Sequence, residues 1–182
     1  MTLLIVGIGL WWAGHFFKRV LPGVRASMGE RGKGVAALLI VAGLVTMVLG
    51  YRGAVLETVF LPPPWGRHVN NASMLVAVIL LGMGSSKGKM RAWLRHPMLT
   101  GVLVWALAHL LVNGDLASLV LFGSMAAWAV VEMLVINAKD GPWKRPEPGP
   151  IGGDVRLIVI SLVIFGVIAA IHTWLGYYPF PG

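Results

Sequence analysis

The sequence predicts an all-α fold, a polytopic membrane helix bundle with about six transmembrane helices in a single domain over residues 1–182. Three observations predict it. The chain is 57% hydrophobic and 12% charged, where a soluble domain carries about 25% charge. Its apolar residues gather in runs that approach the ~20 residues a helix needs to cross the hydrocarbon core of a bilayer. Its basic residues sort into alternate connections between those runs.

The first run, residues 2–21, has no basic stretch before it and positive charge after it, so it reads as a retained span and not a cleaved leader. The second and third, 35–50 and 71–83, are short, and their helices are expected to extend into polar flanks. Between them, Pro62-Pro63-Pro64 and Trp65 predict a stiff outer loop with an interfacial indole. The fourth run, 97–112, opens on Pro97, a residue tolerated in the first turn of a helix. Asn113-Gly114-Asp115 joins it to the fifth, 116–136. Gly114 suits a left-handed helix end and Asp115 an N-cap. Residues 141–153 hold four prolines and four glycines and predict an irregular loop. The sixth run, 155–175, leads into Trp174, Tyr177 and Tyr178, which resemble an aromatic belt.

Charge sets the expected orientation. Lys18, Arg19, Arg25, Arg31 and Lys33 follow the first run. Lys87, Lys89, Arg91 and Arg95 follow the third, and Lys139, Lys144, Arg145 and Arg156 the fifth. Only Arg52 and Arg67 fall on the opposite side. The positive-inside rule places the larger set in the cytoplasm and both termini on the non-cytoplasmic side. A net charge of +8 would point to nucleic acid in a soluble protein. Distributed this way it points to orientation in an anionic bilayer, with no nucleic-acid partner. The absence of cysteine excludes disulfides, iron–sulfur ligation and thiolate ligation of a metal within this chain.

Three histidines lie within apolar runs: His15, His109 and His172. Two of them close the same pattern. Gly7, Trp11 and His15 stand four residues apart, as do Gly101, Trp105 and His109. At that spacing each set forms one stripe on a helix. A titratable imidazole is costly in hydrocarbon, which makes an intramembrane histidine a candidate functional group. From a rise of about 1.5 Å per residue, His15 lies roughly 20 Å and His109 roughly 12 Å below the outer edge of the core, both near mid-membrane. His172 lies about 4 Å from that edge and reads as an interfacial structural residue. The glycines offer uncrowded faces, so the two stripes suit a flat ring such as a porphyrin held by imidazoles. The competing reading is plain packing: glycine for helix contact, tryptophan as bulk, and histidine bonded to a carbonyl or hydroxyl.

The blocks WWAGHFFKRVLPGVRASMGER, residues 11–31, and WLRHPMLTGVLVWALAHLLVNGD, residues 93–115, resemble the signatures of the NnrU family, and the resemblance extends over nearly the whole chain. It implies a multi-pass protein of the bacterial inner membrane associated with denitrification, near nitrite and nitric oxide metabolism. It also implies a respiratory or denitrification enzyme as partner, or a small apolar or gaseous ligand. The plant zeta-carotene isomerase, a longer haem b protein, has similar blocks. That likeness implies His15 and His109 as haem b ligands, and therefore as the metal ligands. The isomerase has a cysteine three positions before its second ligand, where this chain has Ala106.

Arg95-His96-Pro97 with Gly101 is also similar to the R-H-P-x-x-x-G motif of isoprenylcysteine carboxyl methyltransferases. There the motif helps bind S-adenosylmethionine on the cytoplasmic side, which implies a cofactor role for Arg95 and His96. The chain departs from that pattern at Leu99, where an aromatic residue is usual, and offers only the isolated Glu132 in place of a paired acidic motif. Glu132 reads as a paired, snorkelling interfacial residue, and Arg95-His96-Pro97 equally as an interfacial anchor and helix start. Three functional classes follow: a haem-dependent redox or isomerase-like protein, an S-adenosylmethionine-dependent methyltransferase, and a non-catalytic assembly factor for a respiratory complex.

Overall fold

A computed structural model describes residues 1–180. Among these the chain forms seven α-helices: α1 (Thr2–Val20), α2 (Pro22–Ser27), α3 (Gly29–Arg52), α4 (Gly66–Met83), α5 (Pro97–Val112), α6 (Leu116–Asp140) and α7 (Ile151–Trp174). A single 3₁₀ turn covers Met90–Ala92, and the only extended pairing among the described residues is an isolated bridge from Thr58 to Asp115. Four helices, α1, α3, α6 and α7, are long and apolar enough to cross a membrane, and α5 is a shorter apolar helix.

The short second and third apolar runs do extend into their flanks, to Gly29–Arg52 and Gly66–Met83. Pro97 stands in the first turn of α5, as expected. Elsewhere the structure differs. Residues 22–27 and 90–92 are helical turns within stretches that the sequence assigns to loops. Helix α7 begins at Ile151, inside the expected 141–153 loop, because Pro150 supplies an extended N-cap. Gly114 is not left-handed. Positive φ occurs at Gly29, Gly141 and Gly176. Gly114 is small for another reason: its carbonyl accepts the amides of Val59 and Phe60, and a Cβ there would collide with the Phe60 carbonyl. Asp115 does act as a cap, with Oδ1 accepting the Ser118 amide at 2.9 Å and Oδ2 the Ser118 hydroxyl at 2.6 Å.

The chain divides into two compact units. The first comprises residues 1–61 and 114–128. It is built on α1 against α3, and the pairing runs on glycine. A Cβ on Gly7 would meet Met47 and Thr46, one on Gly14 would meet Ile40 and Ala36, one on Gly43 the backbone of Trp11, and one on Gly50 the backbone of Leu4. Apolar surface gives little drive for helix association inside lipid, so close backbone approach at small residues has to supply it. At the Tyr51 end of α3, its hydroxyl meets the Ser118 hydroxyl at 2.8 Å. Ser118 already donates to Asp115, so Tyr51 is the donor to Ser118.

The second unit comprises residues 62–113 and 129–180 of those described. Here α4 packs on α5 and α7. Leu80, Met83 and Leu157 form its buried apolar cluster. Asp154, Leu157 and Ser161 are the buried stripe of α7, spaced as one helix face. Most remaining apolar positions of α7, Val159 and Val163 among them, are exposed, which fits a helix whose outer sides are solvated by lipid.

Candidate functional site

The two stripes fold as spaced, each inside its own unit. On α1, the His15 Nδ1–H donates to the Trp11 carbonyl at 2.9 Å, and the two rings lie 4.3 Å apart. On α5, the His109 Nδ1–H donates to the Trp105 carbonyl at 2.9 Å, with ring centroids 5.3 Å apart. A carbonyl only accepts, so in each case Nδ1 carries a proton, which in the neutral form of the ring leaves the lone pair at Nε2. This is the ligand form of histidine, with its second nitrogen fixed by an outer hydrogen bond. The donor chemistry therefore fits a haem iron. His172 makes the same back-bond, to Ile168 at 2.8 Å, so the bond alone does not mark a ligand. What separates His15 and His109 from His172 is the indole beside each ring one turn earlier.

The glycines of the stripes are occupied by packing. Gly7 receives α3, while a Cβ on Gly101 would stand 3.0 Å from the Ala77 carbonyl and 3.2 Å from Leu80 Cβ on α4. Each glycine thus holds a neighbouring helix, and the aromatic and imidazole groups make up the rest of the stripe. Ala106, three residues before His109, is fully buried.

Sequence reading missed Trp128. This residue of α6 is 4% exposed and closes an aromatic cluster in the first unit. Its ring lies 4.7 Å from His15 and 5.3 Å from Trp11, edge-on to both. The indole N–H groups of Trp11 and Trp128 are buried and have no hydrogen-bond partner among the described residues. Trp128 sits in an unbroken apolar run of α6, and no local spacing rule ties it to a residue of α1. Glu132, four residues further along α6, is buried at 7% exposed and not snorkelling.

Arg95 and His96 lie at the start of α5. His96 is the N-cap residue, its carbonyl accepts both the amide and the hydroxyl of Thr100 at 2.9 Å, and its Nε2 meets Asn137 Oδ1 at 2.8 Å. These contacts are those of a helix start tied to a neighbouring helix. Arg25 also serves locally, donating to the Gly29 carbonyl at 2.8 Å. Among the described residues no group of three or more His, Asp or Glu side chains is arranged to hold a metal ion.

The class that fold and composition define is an α-helical multi-pass membrane protein. Over residues 3–179 the chain matches the family model described as NnrU protein, and it belongs to that family. No curated protein and no solved structure matches it.

Proposed function

We propose that this NnrU-family protein binds haem b within the membrane, with His15 and His109 as axial ligands. The observation that carries the reading is the repeated device: an apolar-span histidine, its Nδ1–H committed to the carbonyl of a tryptophan one turn earlier, its ring beside that indole. Trp11 and Trp105 orient the imidazoles and exclude water from them. Gly7 and Gly101 let neighbouring helices close on the same stripes. Haem held by two histidines supplies one-electron redox chemistry and leaves no open coordination position. The protein's own contribution is to fix tautomer and ring orientation at each ligand and to keep the surroundings apolar.

The reading includes six spans, with α4 and α5 among them, both termini away from the cytoplasm, and residence in the bacterial inner membrane. The family name supports a role linked to denitrification. The test is the absorption spectrum of the protein purified in neutral detergent. A Soret band and a reduced α band are expected, both lost in His15→Ala and in His109→Ala and kept in His172→Ala. Unchanged haem loading in both of the first two variants would overturn the ligand assignment. Saturable S-adenosylmethionine binding by a haem-free protein, weakened by Arg95→Ala, would replace it with the methyltransferase reading.

A further inference from the structure

We propose that the turn between α4 and α5 is a headgroup site for an anionic phospholipid. The chain leaves α4 at Met83 and enters α5 at Pro97, and the return is clamped. Asp154, 5% exposed in the first turns of α7, accepts the backbone amides of Lys89 and Met90, each at 2.9 Å. The Gly149 amide donates to the Gly88 carbonyl at 3.1 Å. Gly88, Gly149 and Gly153 are glycines because the segments touch: a Cβ on any of them would collide with Asp154 or with the backbone of Lys87 or Gly88. One carboxylate and three glycines therefore fix the backbone of residues 87–90.

Four cations stand on this fixed segment or in the stretch that follows it to α5. Lys87 and Lys89 are exposed, and Arg91 and Arg95 are half-buried. None has a side-chain hydrogen-bond or ion-pair partner among the described residues. The one carboxylate in the clamp, Asp154, spends both oxygens on backbone amides and offsets a single charge. Two further donors in the turn, the Ser86 hydroxyl and the Arg91 Nε–H, are buried without a partner. Buried donors are ordinarily satisfied, and unneutralised arginine beside them calls for an anion with several acceptor oxygens. A phosphodiester is such a group. The apolar neighbours decide its source. Trp93 is 63% exposed, Leu94 38% and Met98 61%, a surface that suits acyl chains at an interface and offers nothing to a soluble anion. Basic pockets at the cytoplasmic end of a helix bundle bind lipid headgroups by this combination.

The test uses the full chain in neutral detergent, with phosphatidylglycerol, phosphatidylcholine and inorganic phosphate as separate probes, read by retained adducts in native mass spectrometry and by thermal unfolding. Phosphatidylglycerol is expected to bind saturably and raise the unfolding temperature, while the other two do neither. Arg91→Gln should weaken phosphatidylglycerol about tenfold, the loss of roughly one charge-assisted hydrogen bond. Lys87→Gln/Lys89→Gln, which changes only exposed side chains, should weaken it as well and serves if Arg91→Gln fails to fold. Equal binding of both lipids, or phosphatidylglycerol binding unchanged in these variants, would overturn the proposal. Phosphate that binds as well as phosphatidylglycerol would overturn the lipid and leave a soluble-anion site.

Discussion

The ring of His15 is held on two sides by groups of different origin. Trp11 comes from its own helix, one turn earlier, and was legible from spacing alone; Trp128 comes from α6 and was not. A helical period reports which residues share a face of one helix, but not which distant helix covers that face. The same limit hid Asp154. In the sequence it is one acid at the start of a span, and only the fold brings the amides of Lys89 and Met90 to it. Trp128 carries a specific expectation. Trp128→Ala removes a fully enclosed indole and two edge-on aromatic pairs, and should destabilise the protein by about 3–5 kcal/mol. Trp128→Phe keeps a ring there and should cost less than half as much. Thermal unfolding in detergent checks both, and equal losses would show that ring contact with His15 and Trp11 contributes little.

At the level of elements, the apolar runs located the helices, and the flanks were recovered because the cores at 35–50 and 71–83 fall short of the ~20 residues expected of a span. Helix ends set by tertiary contact were harder. Gly114 looked like a left-handed terminus, yet its size is dictated by the strand-like segment at Phe60. The α1–α3 pairing was hidden for a similar reason: its glycines are frequent in spans, and which partner each one meets depends on the fold. That pairing makes Gly50 a sensitive position. Gly50→Ala places a methyl against the Leu4 backbone, which cannot move aside as a side-chain tip can, so it should cost about 1–3 kcal/mol. Gly9→Ala, on α1 with open space at its Cβ position, is the matched control and should be near neutral in the same unfolding measurement.

For the molecule as a whole, low charge, mean hydropathy of +0.80 and apolar runs near the length of a spanning helix together indicated an all-α membrane protein. Orientation rests on the distribution of lysine and arginine. Thirteen of the fifteen fall in alternate connections, which predicts cytoplasmic reporters fused after Arg31, Lys89 and Lys144, and a non-cytoplasmic one after Gly182. A cytoplasmic signal after Gly182 would mean an odd number of spans. The division into two units, with α6 contributing to both, was not visible in the sequence, where that helix is one continuous apolar run.

His15 and His109, on matching stripes, are proposed to ligate one haem b. Electron paramagnetic resonance of the oxidised protein tests it most directly, because the spin state reports the ligand set. A low-spin ferric signal of bis-imidazole type is expected in the wild-type protein, at one haem per chain, and its loss in His15→Ala and His109→Ala alike. A low-spin signal that persists in either variant, or a wild-type protein purified without haem, would contradict it.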